Sequence, residues 1–449
     1  MRDTAELERA LDHFEQTQRV AALREIAASE QLPAVGTDLN LHLHSFFSYN
    51  ANGWSPTHLA LEARRARLYA AGLCDFDVLD GLEEFLEASR VLQLRATVNL
   101  ETRAYLKAFA EFELTSPGEP GVTYIMGAGF PRVPEAGTPQ ATTLQAFRDQ
   151  ARERNIALLD RINPRLPKIA LDYEKDVLPL TPAGVATERH IIRAYNLKAR
   201  AVFAAEDALV VFWSEVLGKD AASVTSLLAN EPAFEEAIRA KLVKKGGIGY
   251  IQPTTTTFPA VEEFVAWVAS CDAIPMVTWL DGTSNGEADE NKLLDVMMEK
   301  GCAAMNIIPD RNWNLKDAQA AEVKRANLAK VVAAAEKRHL PLNIGTEMNK
   351  AGLPFVDKLD GEVLRLYKEP FTRGAQVMVG HQILTRYAKF SYAGKAATAE
   401  FKDLADRNAF FASVGALPPL SETVDRQLTD LEPEKALGAI RDAVKKNSW

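Results

Sequence analysis

Two histidines in the segment 38–44 have the residue type and spacing of a metal site. Leucines alternate there with polar residues, so a β-strand would place His42 and His44 on one face, roughly 7 Å apart along the chain. Two imidazoles in that arrangement can chelate one divalent ion or occupy adjoining coordination shells. A pair of hydrogen-bonded histidines at a strand end is the simpler alternative. The pattern favours a metal site and leaves that alternative open.

Strand-like and helix-like segments alternate from about Gly36, which is the order expected of parallel βα units in a barrel or a doubly wound sheet. Ser55 and Pro56 predict a helix start, and Gly72 predicts a left-handed stop before a strand at 73–76. Further strands are predicted at 95–102, ending at Glu101, and at 122–126, 274–279, 303–308 and 340–345.

Long helical stretches replace this rhythm in the middle of the chain and indicate a lid or subdomain. We therefore predict an α/β protein whose barrel is interrupted by a helical insertion. The predicted divisions are a helical N-terminal extension at 1–35, the first part of the barrel at 36–130, the mainly helical insertion at 131–255, the second part of the barrel at 256–395 and a helical tail at 396–449.

Composition and charge narrow the functional classes. The chain has 449 residues, is 47% hydrophobic and 25% charged, and carries a net charge of −9, which argues against a surface that coats nucleic acid. The three cysteines are far apart, which disfavours a disulfide framework and a thiolate metal site and suits a reducing cytosol. No apolar run approaches the roughly 20 residues of a membrane span. We expect a cytoplasmic protein that binds neither membrane nor nucleic acid.

Several segments resemble motifs of the PHP (polymerase and histidinol phosphatase) superfamily. The sequence D-L-N-L-H-L-H-S resembles its first motif, G-L-C-D-F-D-V-L-D-G its second, and Glu101 in V-N-L-E-T its third. The resemblance covers 36–130 and 256–350 in spaced pieces, and 171–190 is similar to an insertion of one uncharacterised bacterial branch. It implies a distorted TIM-like (β/α)7 barrel that holds two or three Zn, Mn or Fe ions for phosphoester hydrolysis.

Several ligand positions of that family carry other residues here. Phe76, Tyr124 and Trp279 stand where the resemblance implies histidines, and Glu347 and Asn349 replace a final Asp and His. A full trinuclear centre is therefore not expected. What remains is a set of two histidines and two carboxylates adequate for one divalent ion, Zn, Mn or Fe. Its predicted ligands are His42, His44, Glu101 and Glu347.

Other residues are candidates for catalysis and substrate binding. A carboxylate such as Asp75 or Glu347 could relay a proton for metal-bound water. Arginine forks match phosphate and carboxylate geometry, although surface salt bridges explain arginines equally well. His381 follows an apolar stretch, where a structural role is the commoner one. The predicted substrate-binding residues are Arg189, His190, Arg311 and Asn349.

These features predict a metal-dependent hydrolase that acts on a small anionic substrate at the C-terminal mouth of the barrel. One alternative is a catalytically silent barrel that binds a metabolite or a partner in the same cavity. Another is a metal-dependent isomerase or lyase acting on a sugar acid. The sequence leaves the substrate, the metal and the oligomeric state open.

Overall fold

A seven-stranded sheet forms the centre of the protein in the computed structural model, which describes residues 3–449. The strands pair in sequence order, and a parallel bridge between Leu43 and Glu347 brings the last strand back to the first. The result is a nearly closed barrel, as predicted. The strands are β1 Leu39–Leu43, β2 Ala70–Phe76, β3 Arg95–Tyr105, β4 Val122–Ala128, β5 Ile274–Trp279, β6 Ala304–Ile307 and β7 Leu342–Ile344.

The barrel is not uniformly parallel. Strands β1 to β3 pair in parallel, as do β5 to β7, but β4 is antiparallel to both of its neighbours. The order of parallel βα units that the alternating segments indicated therefore does not hold at β4. No helix lies between β3 and β4 that could return the chain to the other end of the barrel. The 16-residue connection holds one short 3₁₀ turn, Lys107–Phe109, so β4 runs back along β3.

Helices cover the outside of the barrel, and the strand leucines pack against them in one continuous core. The helices of the two parts of the barrel and of the start of the tail are α3 Pro56–Arg65, α4 Leu82–Leu92, α10 Val261–Ser270, α11 Glu290–Glu299, α12 Asp310–Trp313, α13 Ala318–Lys337, α14 Lys368–Ala388 and α15 Lys395–Glu400. The two ends of the chain add α1 Thr4–Ala10, α2 Gln16–Ser29, α16 Leu404–Ala416, α17 Glu422–Thr429 and α18 Pro433–Lys446.

The predicted insertion is helical and has its own apolar core. Trp213, Phe234 and Ile238 are fully buried in a cluster separate from the barrel core. The exact residue boundaries of the predicted divisions stay predictions. The helices of the insertion are α5 Pro139–Ile162, α6 Glu188–Val202, α7 Glu206–Leu217, α8 Ala221–Leu228 and α9 Glu231–Leu242.

Gly72 does not end a helix, contrary to the prediction. Helix α3 stops at Arg65, Arg67 takes the left-handed conformation with φ of 64°, and Gly72 lies within β2. A Cβ atom on Gly72 would lie 2.8 Å from the backbone of Leu41 on the neighbouring strand. The glycine therefore permits close approach of two strands rather than a turn.

None of the helices within residues 3–449 combines the length and the apolar character that crossing a bilayer requires.

Candidate metal centre

His42, His44 and Glu101 converge inside the barrel. His42 lies on β1, His44 directly follows the last residue of that strand, and β3 presents Glu101 from two strands away. The Oε2 atom of Glu101 lies 3.6 Å from Nε2 of His42 and 3.5 Å from Nε2 of His44. All three side chains are buried, and one ligand atom from each lies within 4.8 Å of the other two. We call these three residues the histidine cluster.

The histidine cluster has the unpaired polar atoms of a metal site. Nδ1 and Nε2 of His42 and Nε2 of His44 are buried and have no hydrogen-bond partner among the described residues. Such atoms cost free energy unless something binds them. A divalent ion between two imidazoles and a carboxylate would satisfy the ring nitrogens that face Glu101, so the donor set fits the ion that the sequence predicted.

Electrostatics within the histidine cluster also favour a cation. Burial alone would raise the pKa of Glu101, but the imidazoles of His42 and His44 lower that pKa to about 2. Burial opposes a charge on His42, yet neighbouring Cys74 and Glu101 raise its pKa well above the usual value. The negative Glu101 therefore attracts positive charge to this point, which a bound ion supplies in place of protons.

Asp75 holds the loop after β1 and orients His44. Its Oδ1 accepts hydrogen bonds from the backbone of Ser45 and the hydroxyl of Ser48, both at 2.7 Å, and its Oδ2 accepts from the Ser45 hydroxyl at 2.6 Å. The Ser48 hydroxyl lies 3.2 Å from Nδ1 of His44. With Nδ1 engaged by Ser48, Nε2 of His44 faces Glu101. Asp75 does not line the cavity described below, and its contacts support an orienting role; the proton relay by Asp75 stays a prediction.

Glu347 lies beside the histidine cluster without belonging to it. Its backbone continues the pairing with β1, donating to the carbonyl of His42 at 2.8 Å and accepting from the amide of His44 at 2.9 Å. Its carboxylate instead meets Arg311, with Oε2 2.6 Å from Nη2. The structure thus brings three of the four predicted ligands together and gives the fourth to an arginine. Metal ligation by Glu347 stays a prediction.

A cavity of about 490 Å³ opens above the histidine cluster. Its walls carry seven cationic side chains and five carboxylates, a positive surplus within a chain of net charge −9. Four of the cations form what we call the cationic wall: Arg103, Arg154, Arg239 and Lys244. The other cations are Arg161, Arg189 and Arg311, and the carboxylates are Asp77, Glu101, Glu119, Glu188 and Glu347.

Not all of the predicted substrate-binding residues line the cavity. Arg189, Arg311 and Asn349 line the cavity, but His190 does not. His190 caps the start of α6, where its Nδ1 accepts a hydrogen bond from the backbone of Thr187, and burial lowers its pKa to about 4. The contact that the structure shows for His190 is this helix cap, and substrate binding by His190 stays a prediction.

The aromatic residues that stand where the PHP resemblance implies histidines also differ in whether they line the cavity. Phe76 and Tyr124 line the cavity, with their ring centroids 6.0 Å apart in an edge-to-face arrangement. Trp279 is buried outside the lining. The cavity above the histidine cluster is therefore narrowed by two rings but not filled. His381 is buried in α14, away from the cavity, in agreement with the structural role considered for it.

The sequence analysis missed the cationic wall. Arg103 follows Glu101 by two residues on β3, so extending the predicted strand beyond Thr102 would have placed its side chain on the same face. Arg154, Arg239 and Lys244 come from or directly follow helices of the insertion. Their convergence depends on how those helices pack against the barrel, and no local sequence pattern predicts it.

Comparisons with known proteins identify no family. No protein-family model matches the sequence, and no curated protein matches it. The model is similar to the structure of an amidohydrolase from Chromobacterium violaceum, with a TM-score of 0.47 and 15% identity over 74% of this chain and 95% of that chain. It is also similar to a protein named as a metal-dependent phosphoesterase from Bifidobacterium adolescentis, with a TM-score of 0.46 and 17% identity over 76% of this chain and 98% of that chain.

The fold and the site together define an α/β barrel with a helical insertion, a candidate metal centre and a cationic cavity. Membership of the PHP superfamily stays a prediction from the sequence motifs.

Proposed function

We propose that the protein is a metal-dependent hydrolase of the phosphoesterase type that acts on a small anionic substrate. One divalent ion, Zn, Mn or Fe, would be held by His42, His44 and Glu101. The observation that carries the proposal is the position of this cluster, with its unpaired imidazole nitrogens, below a cavity whose cationic side chains outnumber its carboxylates. The PHP-like sequence motifs support the same chemistry.

The residues of the cavity divide the work of such a reaction. A bound divalent ion would polarise a substrate oxygen and lower the pKa of coordinated water toward about 7. Arg311 and Arg189 bind and orient the anionic group, since guanidinium forks suit phosphate oxygens. Glu347 lines the same cavity, and Arg311 keeps its carboxylate in place to accept a proton. Asp75, through Ser48, holds His44 in the ligating orientation.

The size and charge of the cavity support a small-molecule substrate. A volume of about 490 Å³ is in the range of small-molecule pockets. The net charge of −9 favours neither nucleic acid nor an anionic membrane as a partner. We also propose a cytoplasmic location, for which the free cysteines Cys74, Cys271 and Cys302 are the support.

Elemental analysis tests the metal site. We expect wild-type protein purified without chelator to contain about one Zn, Mn or Fe ion per chain. The double variant His42→Ala, His44→Ala should lose it, and the exposed control His13→Ala should retain it. The same three proteins would then be assayed with p-nitrophenyl phosphate and a panel of sugar phosphates. Wild type that stays free of metal in the presence of all three ions would contradict the proposal.

One observation favours a second candidate function. Phe76 and Tyr124 place aromatic rings in the cavity at positions where the PHP resemblance implies ligands. Replacement of metal ligands by aromatic residues is expected in a barrel that binds a metabolite without hydrolysing it. A well-folded wild type without metal would support this candidate. Bound metal with no phosphatase activity across the panel would favour an isomerase or lyase acting on a sugar acid.

A further inference from the structure

The cationic wall contains an arginine whose charge no carboxylate neutralises at close range. Arg154 of α5 donates from Nη1 to the carbonyl of Thr257 at 3.0 Å, and no carboxylate lies within 4.0 Å of it in the described chain, residues 3–449. Arg103, by contrast, pairs with Glu119 at 3.3 Å. Arg154 lines the cavity and is only partly exposed. A partly buried guanidinium without an ion pair is a candidate for binding an anion.

Phe258 holds the guanidinium groups of Arg154 and Arg103 close together. The Cζ atom of Arg103 lies 4.4 Å from the centroid of the Phe258 ring, and that of Arg154 lies 4.6 Å from it. Stacking on an aromatic ring fixes the plane of a guanidinium and leaves its N–H edges free for a ligand. Two like charges on one ring repel each other, and an anion between them would remove that repulsion.

Glu188 offsets the charge of the remaining part of the cationic wall. It pairs with Arg239 and lies 3.3 Å from Nζ of Lys244. Arg239 also lies 3.7 Å from Glu236, so carboxylates offset this part of the wall, and the cation left without an ion pair among the described residues of the wall is Arg154. Asp77 also lines the cavity and attracts Arg154 and Arg103 electrostatically, but it lies beyond 4.0 Å of both guanidinium groups, and burial raises its pKa.

The anion position near Arg103 is separate from the histidine cluster. Arg103 follows Glu101 by two residues on β3 and lines the same cavity, so the two residues are roughly 7 Å apart along the strand. The guanidinium groups of Arg103 and Arg154 meet at Phe258, and Arg103 pairs with Glu119 rather than with Glu101, so an anion between the two arginines has a position of its own. One molecule with two anionic groups can occupy this position and the histidine cluster together.

We propose that the cavity takes a substrate with two anionic groups, one at the histidine cluster and the second between Arg154 and Arg103. The substrate class is a small bisphosphate or a phosphorylated carboxylic acid. The inference about the first group rests on the proposed function, whereas the second position, which we call the distal anion site, rests on the cationic wall alone. The insertion therefore contributes substrate specificity through α5.

Inorganic phosphate tests the distal anion site without any metal. Titration calorimetry of chelator-treated wild type should show one phosphate bound per chain. Arg154→Gln should weaken that binding at least tenfold, and Arg154→Lys should restore part of it. The matched control is Arg152→Gln, an exposed position on the same helix that pairs with Glu174. Wild type that binds no phosphate, or Arg154→Gln that binds it as wild type does, would overturn the proposal; melting curves verify that the variants fold.

A second titration separates this inference from the proposed function. With metal restored, propane-1,3-diol bisphosphate and 3-phosphooxypropanoate should each bind at least tenfold more tightly than propyl phosphate, and Arg154→Gln should abolish the difference. Equal affinity of all three ligands for wild type would reject the two-anion substrate class. If His42→Ala, His44→Ala protein keeps Arg154-dependent phosphate binding while wild type takes up no metal, the distal anion site stands and the hydrolase proposal fails.

Discussion

The histidine cluster and the cationic wall face the same cavity but are built in different ways. The histidine cluster lies on or directly after two strands of one sheet, and its side chains are almost completely buried. The cationic wall combines one strand residue with residues of the helical insertion, and its side chains are partly exposed. Under the proposed function, the barrel would hold the metal ion and the insertion would bind the second anionic group of the substrate.

Loss of an imidazole of the histidine cluster should have the largest effect on metal binding and should leave the cationic wall intact. We expect His44→Ala to weaken metal binding by more than about 100-fold. Loss of a residue that only orients a ligand costs up to about 100-fold, and this variant removes a ligand itself. Metal affinity would be measured by competition with a chromophoric chelator, with His13→Ala as control. Phosphate binding by the metal-free variant should match wild type. A parallel loss of phosphate binding would show that the two regions are not independent.

Removal of the Asp75 charge should have the next largest effect. Asp75→Asn keeps the size of the side chain but replaces a carboxylate that accepts hydrogen bonds from Ser45 and Ser48 with a neutral amide. The hydrogen bond through which Ser48 orients His44 should therefore weaken. We expect metal affinity to fall about 10- to 100-fold.

Asp80→Asn is the matched control, since Asp80 is exposed and pairs with Arg148. If Asp75→Asn lowers the melting temperature without changing metal affinity, the Asp75 side chain only stabilises the loop.

A cavity made in the core of the insertion should leave the histidine cluster unaffected. Trp213 is fully buried among Phe212 and Phe234. Trp213→Ala should destabilise the insertion by about 3–5 kcal/mol, measured as faster hydrogen exchange in α6, α7 and α9. The metal content should not change. Faster exchange in β1 and β3 as well would mean that the insertion and the barrel unfold as one unit.

Acid should destabilise both regions by a smaller amount through two buried histidines. Burial lowers the pKa of His381 in the barrel to about 3 and that of His190 in the insertion to about 4, from 6.5. Between these values and 6.5 the unfolded chain binds more protons than the folded one, so stability falls as pH decreases from about 6.5. Denaturant unfolding at several pH values should show this slope. His381→Gln and His190→Gln should each reduce it, and an unchanged slope in both variants would refute the assignment.

The histidine cluster could be predicted because it depends on short-range geometry. Period-two alternation placed His42 and His44 on one face, and the end of a predicted strand placed Glu101 near them. The barrel and its helical insertion followed from the order of the elements. The strand at 274–279 was predicted with the bounds that the structure shows, and those at 303–308 and 340–345 were somewhat too long.

The features that could not be predicted depend on contacts between distant segments. The direction of β4 is decided by a connection too short to cross the barrel, and the role of Gly72 by the proximity of Leu41. His190 resembled a ligand-binding residue but caps a helix, and Glu347 meets Arg311 from 36 residues away. The cationic wall needs residues of α5, of α9 and of the segment after α9 to reach the same cavity as Arg103 of β3, which no sequence period encodes.

Anomalous diffraction at the metal absorption edge tests the central claim most directly. A crystal of wild-type protein grown with Zn, Mn or Fe should show one strong anomalous peak between Nε2 of His42, Nε2 of His44 and the carboxylate of Glu101. The distances from zinc to the ring nitrogens should be about 2.0–2.1 Å. A crystal saturated with each ion that shows no peak there, with the three side chains in the arrangement described above, would contradict the account.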